Sequence, residues 1–334
     1  MTQASAIATI RKPALAGFRG PAKFLFFRLA MLAATLFASS IVIFGALYAA
    51  PGSPLTFLTH GRSMSPAAIA QLKHQYHLDQ SVPAQYWDWL SGMLHGNFGS
   101  SIVYHAQVSS LIGPRFATTA LLVLFSTVLI TLVGLALGLF TGLKPGVVAE
   151  SLMALATGAM AVPAFVAAVV LTSVFAVSLG WFPVFGSGSG FLDRLDHLTL
   201  PSIALAFASI AFVARLTRAA VKEELQADHV QTAISRGLPY RAIVRRHVVR
   251  NAAVPVLTVA GLTIAGLIAG SVVVEQLFQL NGLGSFLVSA VQQKDFPVVQ
   301  AICMVYVASF IVLNTLIDIA YSVLDPRISL GGKR

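Results

Sequence analysis

Residues 116–143 read FATTALLVLFSTVLITLVGLALGLFTGL, 28 positions without one Asp, Glu, Lys or Arg. At 1.5 Å per residue a helix of this length covers about 42 Å, more than the roughly 30 Å hydrocarbon thickness of a bilayer. Five more windows lack charge in the same way: 29–59, 151–192, 197–214, 251–274 and 296–317. Lipid offers no partner to a backbone N–H or C=O, so a crossing segment must be a helix or part of a closed barrel. The short alternating segments of a barrel are missing here. The chain as a whole agrees: of 334 residues 57% are hydrophobic and 10% charged, with a mean hydropathy of +0.81, whereas a soluble domain carries roughly 25% charge. The composition excludes a soluble domain and a disordered chain, and predicts an all-α polytopic membrane protein with six transmembrane helices.

The net charge of +10 follows from topology rather than from nucleic-acid binding. With the N-terminus inside, six crossings place there the residues through Arg28, the turn at Lys144, the segment 215–250 and the tail from Asp325. These hold 5, 1, 8 and 3 Lys/Arg, or 17 of the 22. Three of the others lie in the long segment 51–115, to which the positive-inside rule barely applies. Window 151–192 is long enough for two helices, but Gly180, Pro183, Gly186, Gly188 and Gly190 make its second part turn-forming and too short. A seventh crossing would also put the eight-cation segment outside. Both termini are therefore expected in the cytoplasm. Residues 1–23, with Arg11, Lys12, Arg19 and Lys23, read as a cytoplasmic arm, because the apolar run that follows exceeds the 7–15 residues typical of a cleaved signal core. Residues 328–334 form a cytoplasmic tail.

The segment 51–115 is the sizeable extracytoplasmic piece, inserted between helices 1 and 2. Ser65-Pro66 predicts an N-cap followed by a helix over 67–76. A second helix is expected over 84–94, where Tyr86, Trp87 and Trp89 suit the headgroup level. Five of the eight histidines lie in this segment, and His74 and His77 are one turn apart. Such pairs can bind transition metals, but no ligand set at motif spacing surrounds them, so they read as polar surface. The single Cys303 excludes an internal disulfide and a thiolate cluster. Small residues at four-residue spacing, Gly134, Gly138 and Gly142, then Gly266 and Gly270, predict close helix packing.

Chemistry is mostly absent. A phosphate-cradling Gly-x-x-x-x-Gly-Lys-Ser/Thr loop would be needed to hydrolyse ATP, and the nearest approach, 138–145, has the wrong spacing and continues into Pro145. An ion-coupled carrier would bury ionisable groups near the midplane, yet Glu275, Asp295 and Asp318 fall at window edges. No nucleophile or paired-carboxylate constellation supports a membrane-embedded enzyme.

The informative segment is 215–251, too long for a simple connection. The reading predicts a helix over 222–236 closed by Gly237, whose missing Cβ suits a left-handed cap. Pro239 then opens a second helix running to 250. The two would protrude as a knob with its elbow at Gly237-Leu238, and Ala233, one turn earlier, would let a partner surface approach closely.

These residues carry a resemblance. Gln231-Thr232-Ala233 followed by Gly237, and His247 to Pro255 (HVVRNAAVP), resemble the EAA loop of permease subunits of binding-protein-dependent ABC importers, in the version of the dipeptide, oligopeptide and nickel permeases. Further matches fall in order: Pro51-Gly52-Ser53-Pro54, Tyr76-His77-Leu78-Asp79, Gly96-Asn97-Phe98-Gly99, Pro114-Arg115, Glu275 to Gly284, Asp295-Phe296-Pro297, and Asn314, Asp318, Tyr321 and Asp325-Pro326-Arg327. The similarity spans 24–327 and is nearest to the first permease subunit of dipeptide importers. Gln231 replaces the signature glutamate, Thr232 its first alanine, and Asn281 a loop-typical proline.

The resemblance implies a type I importer permease fold, located in a bacterial plasma membrane. It implies a second homologous permease subunit, two cytoplasmic ATPases holding ATP and Mg, and an extracytoplasmic binding protein. This chain itself would bind no cofactor and no metal. Asp228, His229, Gln231, Thr232, Ala233, Ser235, Arg236, Gly237, Leu238, Tyr240 and Arg241 would form the ATPase-coupling surface. Di- or oligopeptides are the expected cargo, with a nickel complex or another small solute of the same family as the alternative. A channel or secondary carrier is the reading from another class, and would need no docking knob. Substrate-binding residues are not legible in the sequence.

Overall fold

The computed structural model of the chain describes residues 19–49, 65–75 and 79–324. The pair His74–His77, through His77, lies outside the described residues, as do residues 1–18 of the expected arm and the tail from 325. Helix α1 (Arg19–Ala49) begins inside the stretch read as an arm, because the apolar run carries helix back through Pro21 and Lys23. Two short helices follow, α2 (Pro66–Gln75) and α3 (Val82–Leu94). Ser65 caps α2, its Oγ accepting the Ala68 N–H at 3.3 Å. The aromatic face of α3 lies on α1, with Tyr86 edge-on to Phe37 and Phe44 and its hydroxyl 2.8 Å from Ser40 Oγ.

Helix α4 spans Val108–Leu143, with a wider π-helical stretch at Ile130–Gly134. It begins two turns before the boundary expected at 115 and takes in Pro114, whose missing N–H falls within the second turn. The Arg115 guanidinium donates to Leu111 O at 2.6 Å and sits 4.1 Å above the Phe286 ring. These contacts hold the cation within the fold.

The third crossing departs from the expected single helix. Helix α5 (Val147–Ala159) stops at a turn over 160–163, and α6 (Ala164–Ser178) leaves at a bend of 107°. Pro163 has φ −62° and ψ 146°, an extended conformation that breaks one helix and starts the next. Counting this broken pair as one span, six helical elements among the described residues have the length and apolarity to cross a bilayer.

Helix α7 (Phe191–Gln226) is 36 residues long, about 54 Å by helical rise. It runs through the expected boundary at 215 without interruption. Helix α8 (Asp228–Ser235) follows. Helix α9 is continuous through Tyr240–Ile243, a π-helical Val244–Val248, and Val249–Leu277. Helices α10 (Leu283–Gln292) and α11 (Phe296–Leu324) complete the order. Among the described residues there is no strand, only an isolated bridge between Ser100 and Gln107.

Helix α7 is the hub, packed by α4, α5, α6 and α9. Leu198, Ala204, Val213 and Val221 on α7 are fully or almost fully buried with Leu122 and Ile130 of α4 and Val274 of α9. The glycines at 134, 138 and 142 face α7: a Cβ on Gly138 would stand 2.6 Å from Ala214 O, and one on Gly142 2.8 Å from Val221 Cγ1. Gly270 meets Leu205 at 3.1 Å, whereas Gly266 faces open space.

Two buried carboxylates tie the end of the bundle opposite α8. Glu275 accepts from Thr119 Oγ1 at 2.8 Å and from the Gly284 and Ser285 N–H groups at 2.7 and 3.1 Å, so α9, α4 and the start of α10 are joined. Asp295 accepts from Ser101 Oγ and from the Ile102 and Val103 N–H groups at 3.3 Å. Both side chains are engaged by their own fold.

Candidate functional site

At Ala227 the long α7 gives way to one extended residue, φ −65° and ψ 141°. The predicted helix over 222–236 is therefore two helices at a corner, because Ala227 leaves the helical region and Asp228 restarts the chain with a carboxylate in a first turn, where the helix dipole favours it. At the far end of α8, Gly237 has φ +73°. Its N–H donates to Ile234 O at 2.9 Å and the Leu238 N–H to Ala233 O at 3.3 Å. This pair of bonds is the Schellman closure that a left-handed residue makes possible. Pro239, with φ −65° and ψ 138°, turns the chain into α9, and the Ala242 N–H bonds its carbonyl at 2.8 Å. The second arm is not a separate short helix: it is the first part of α9.

The inner side of the corner is apolar and closed, with Val230, Ala233, Ile243 and Val248 buried together. Ala233 is only 5% exposed. The expectation that it admits a partner is corrected: its small side chain is buried in one apolar cluster with Ile243 and Val248 of α9.

The outer side is open. Ile234, Leu238 and Tyr240 are 50%, 43% and 58% exposed. Around them Asp228, His229, Gln231, Thr232, Ser235, Arg236, Gly237 and Arg241 are all exposed. Ile234 is a member of this surface that motif spacing does not single out. Its signal is the four-residue step from 234 to 238, which puts two large apolar side chains at the tip of a polar hairpin.

Several of the predicted polar residues serve the corner's own geometry. Gln231 Nε2 donates to Leu225 O at 2.9 Å, Thr232 Oγ1 to Asp228 O at 2.8 Å and Ser235 Oγ to Gln231 O at 3.0 Å. His229 Nε2 lies 3.0 Å from Asn251 Nδ2 and 3.4 Å from Glu224 Oε2, joining α8 to the end of α7 and to the fourth turn of α9. Among the described residues no group of three or more His, Cys, Asp or Glu is placed to hold a metal. The corner presents an apolar patch bordered by Arg236 and Arg241 on a rigid frame, which suits it to binding a protein groove.

Comparison with known proteins decides the family. Residues 134–330 match the model described as binding-protein-dependent transport system inner membrane component, and residues 22–123 match the N-terminal model of the same membrane components. The chain belongs to this family. The glutathione transport system permease protein GsiC of Pectobacterium atrosepticum is 35% identical over 302 residues, covering 90% of this chain and 97% of that one. Its counterparts in Escherichia coli (strain K12) and Salmonella typhimurium are 34% and 33% identical with the same coverage. As a family member the chain is the permease subunit of an ABC importer, a multi-pass inner-membrane protein and not itself the catalyst. The family works with ATPase and substrate-binding partners.

Proposed function

We propose that this chain forms half of the translocation pathway of an ATP-driven importer of di- or oligopeptides, glutathione-like tripeptides included. It pairs with a second homologous permease subunit. Two cytoplasmic ATPases hold ATP and Mg, and an extracytoplasmic binding protein delivers the cargo. The observation that carries the reading is the α8 corner, whose exposed Ile234, Leu238 and Tyr240 project from the end of the continuous α7. Apolar side chains of this size, left open beyond the core, mark a protein contact. The peptide class is supported by the similarity to glutathione permeases. The corner side of the molecule is cytoplasmic, as are both termini.

In the mechanism that follows, ATPase closure pushes on α8, and the buried seam of Val230, Ala233, Ile243 and Val248 passes that push to α7 and α9 together. Helices packed as rigid bodies then switch between two arrangements of the pathway. The test is retention of ATPase subunits by the purified permease pair. Ile234→Asp with Leu238→Asp is expected to abolish retention while membrane insertion persists, because a carboxylate buried in an apolar interface is left without a partner. Full retention by this variant would overturn the docking role. Uptake of a labelled dipeptide or glutathione by the assembled system, absent without the binding protein, tests the cargo class.

A further inference from the structure

Glu150 stands in the first turn of α5, where a carboxylate is favoured by the helix dipole. Its side chain meets two cations of α7: Arg218 Nη2 donates to Oε1, and Lys222 Nζ lies 3.8 Å from the same oxygen. Arg218 is nearly buried, whereas the carboxylate of Glu150 is open on its other side. Beside this pair, α5 and α7 share a small apolar seam, Met153 and Ala156 against Ala211. Among the described residues, Glu150 makes the side-chain polar contacts that join α5 to another helix. Apolar contact is non-directional and lets small residues slide. An Arg–carboxylate pair fixes position as well as distance.

The location gives this pair a consequence. Arg218 and Lys222 lie eight and four residues before Gln226, where α7 hands over to α8. On the other side, α5 leads into the 107° bend and α6, which packs on both α7 and α9. A push at α8 reaches α5 without slip only if α5 keeps its register on α7.

We propose that Glu150 and Arg218 fasten α5 to the α7 lever, so that displacement of α8 carries the broken α5–α6 unit with it. Both are positioning residues, and the inference rests on the docking role proposed for α8. Glu150→Gln removes the anion and leaves a nearly buried guanidinium without its partner, the disruptive way to lose half of an ion pair. The charge swap E150R/R218E keeps the pair and reverses its sense.

The experiment places spin labels at Leu155 and Glu223, both exposed, in a Cys303→Ser background of the full chain, and measures their separation by electron paramagnetic resonance. Wild type is expected to give one narrow distribution, unchanged when the assembled transporter is trapped with ATP and vanadate. Glu150→Gln is expected to broaden it, and the charge swap to narrow it again. In the assembled transporter, hydrolysis stimulated by loaded binding protein is expected to fall roughly two- to thirty-fold in Glu150→Gln and to recover in the swap. A narrow distribution in Glu150→Gln overturns the proposal. So does broadening that the swap leaves in place, or stimulation that stays at wild-type level although the helices have loosened. A wild-type chain that never couples to ATPases would count against the docking role of α8, while the label separation in the chain alone still decides the fastening.

Discussion

Gly237 sits at φ +73°, and a Cβ built there meets nothing within 4 Å. Its requirement is therefore conformational, not spatial: an L residue in the left-handed region costs about 1–2 kcal/mol, and a β-branched one sits at the upper end. Gly237→Val is expected to loosen the α8 corner by about that amount and to lower stimulated ATP hydrolysis while the permease still inserts, whereas Gly237→Asn, which tolerates this conformation, should retain most activity. Equal activity of the valine and asparagine variants would show that the closure bonds to Ile234 and Ala233 are dispensable. This glycine is legible in the sequence because positive φ has a chemical signature. The role of Ala233 is not, because a small residue reads alike whether it faces a partner or its own fold. Asn281 shows the reverse case. Where the family pattern has proline, its N–H donates to Ser187 Oγ at 2.8 Å, and the Gly186 N–H bonds Phe278 O at 3.1 Å. A proline could not make the first bond, so the departure from the pattern pins the loop before α7 to the end of α9.

Between α4 and α7 the spacing of Gly134, Gly138 and Gly142 brings two backbones together. A Cβ at Gly138 would stand 2.6 Å from Ala214 O and 2.9 Å from Thr217 Cγ2, and backbone cannot rotate away as a side chain can. Gly138→Val is expected to force the helices apart and destabilise the fold by about 1–3 kcal/mol, the usual range for overpacking. The measurement is the melting temperature in detergent, compared with Gly266→Val, whose position is open and which should leave this chain's own melting unchanged. Periodicity alone makes the glycine seam readable. It cannot reveal the break in the third crossing. Met160, Ala161, Val162 and Pro163 are as apolar as their neighbours, so composition reports a membrane segment but not its direction, and a bend of 107° leaves no trace in charge. Similarly, the end of window 197–214 marks where cations begin. Helix α7 passes through that point because Arg218 and Lys222 are accommodated by Glu150 on α5 rather than released to a loop.

At the scale of the whole molecule, the two ends of the bundle differ in construction, and the orientation proposed above rests on that difference. The end opposite α8 is tied by buried Glu275, which accepts from the Thr119 hydroxyl and from N–H groups at the start of α10, and by Asp295, which accepts backbone N–H groups from the distant segment 102–103, and holds the aromatic face of α3 against α1. The α8 end exposes Arg236, Arg241, Arg245, Arg246 and Arg250. Cations beside membrane-spanning helices are favoured on the cytoplasmic side, where ATP is available, so the docking role proposed for α8 and the charge bias point to the same face. Ser189, in the glycine loop before α7, and Gln226, at the other end of that helix, both reach solvent at least in part and are separated by most of its roughly 54 Å length. Single cysteines there, in a Cys303→Ser background, are expected to respond oppositely to a membrane-impermeant maleimide: Ser189→Cys labels in intact cells, and Gln226→Cys labels only after permeabilisation. Because one uninterrupted helix connects the two positions, they cannot lie on the same side of a bilayer that α7 crosses. Labelling of both from outside would mean that α7 does not span, and labelling of Gln226→Cys alone would invert the molecule and put the α8 corner beyond the reach of any ATPase.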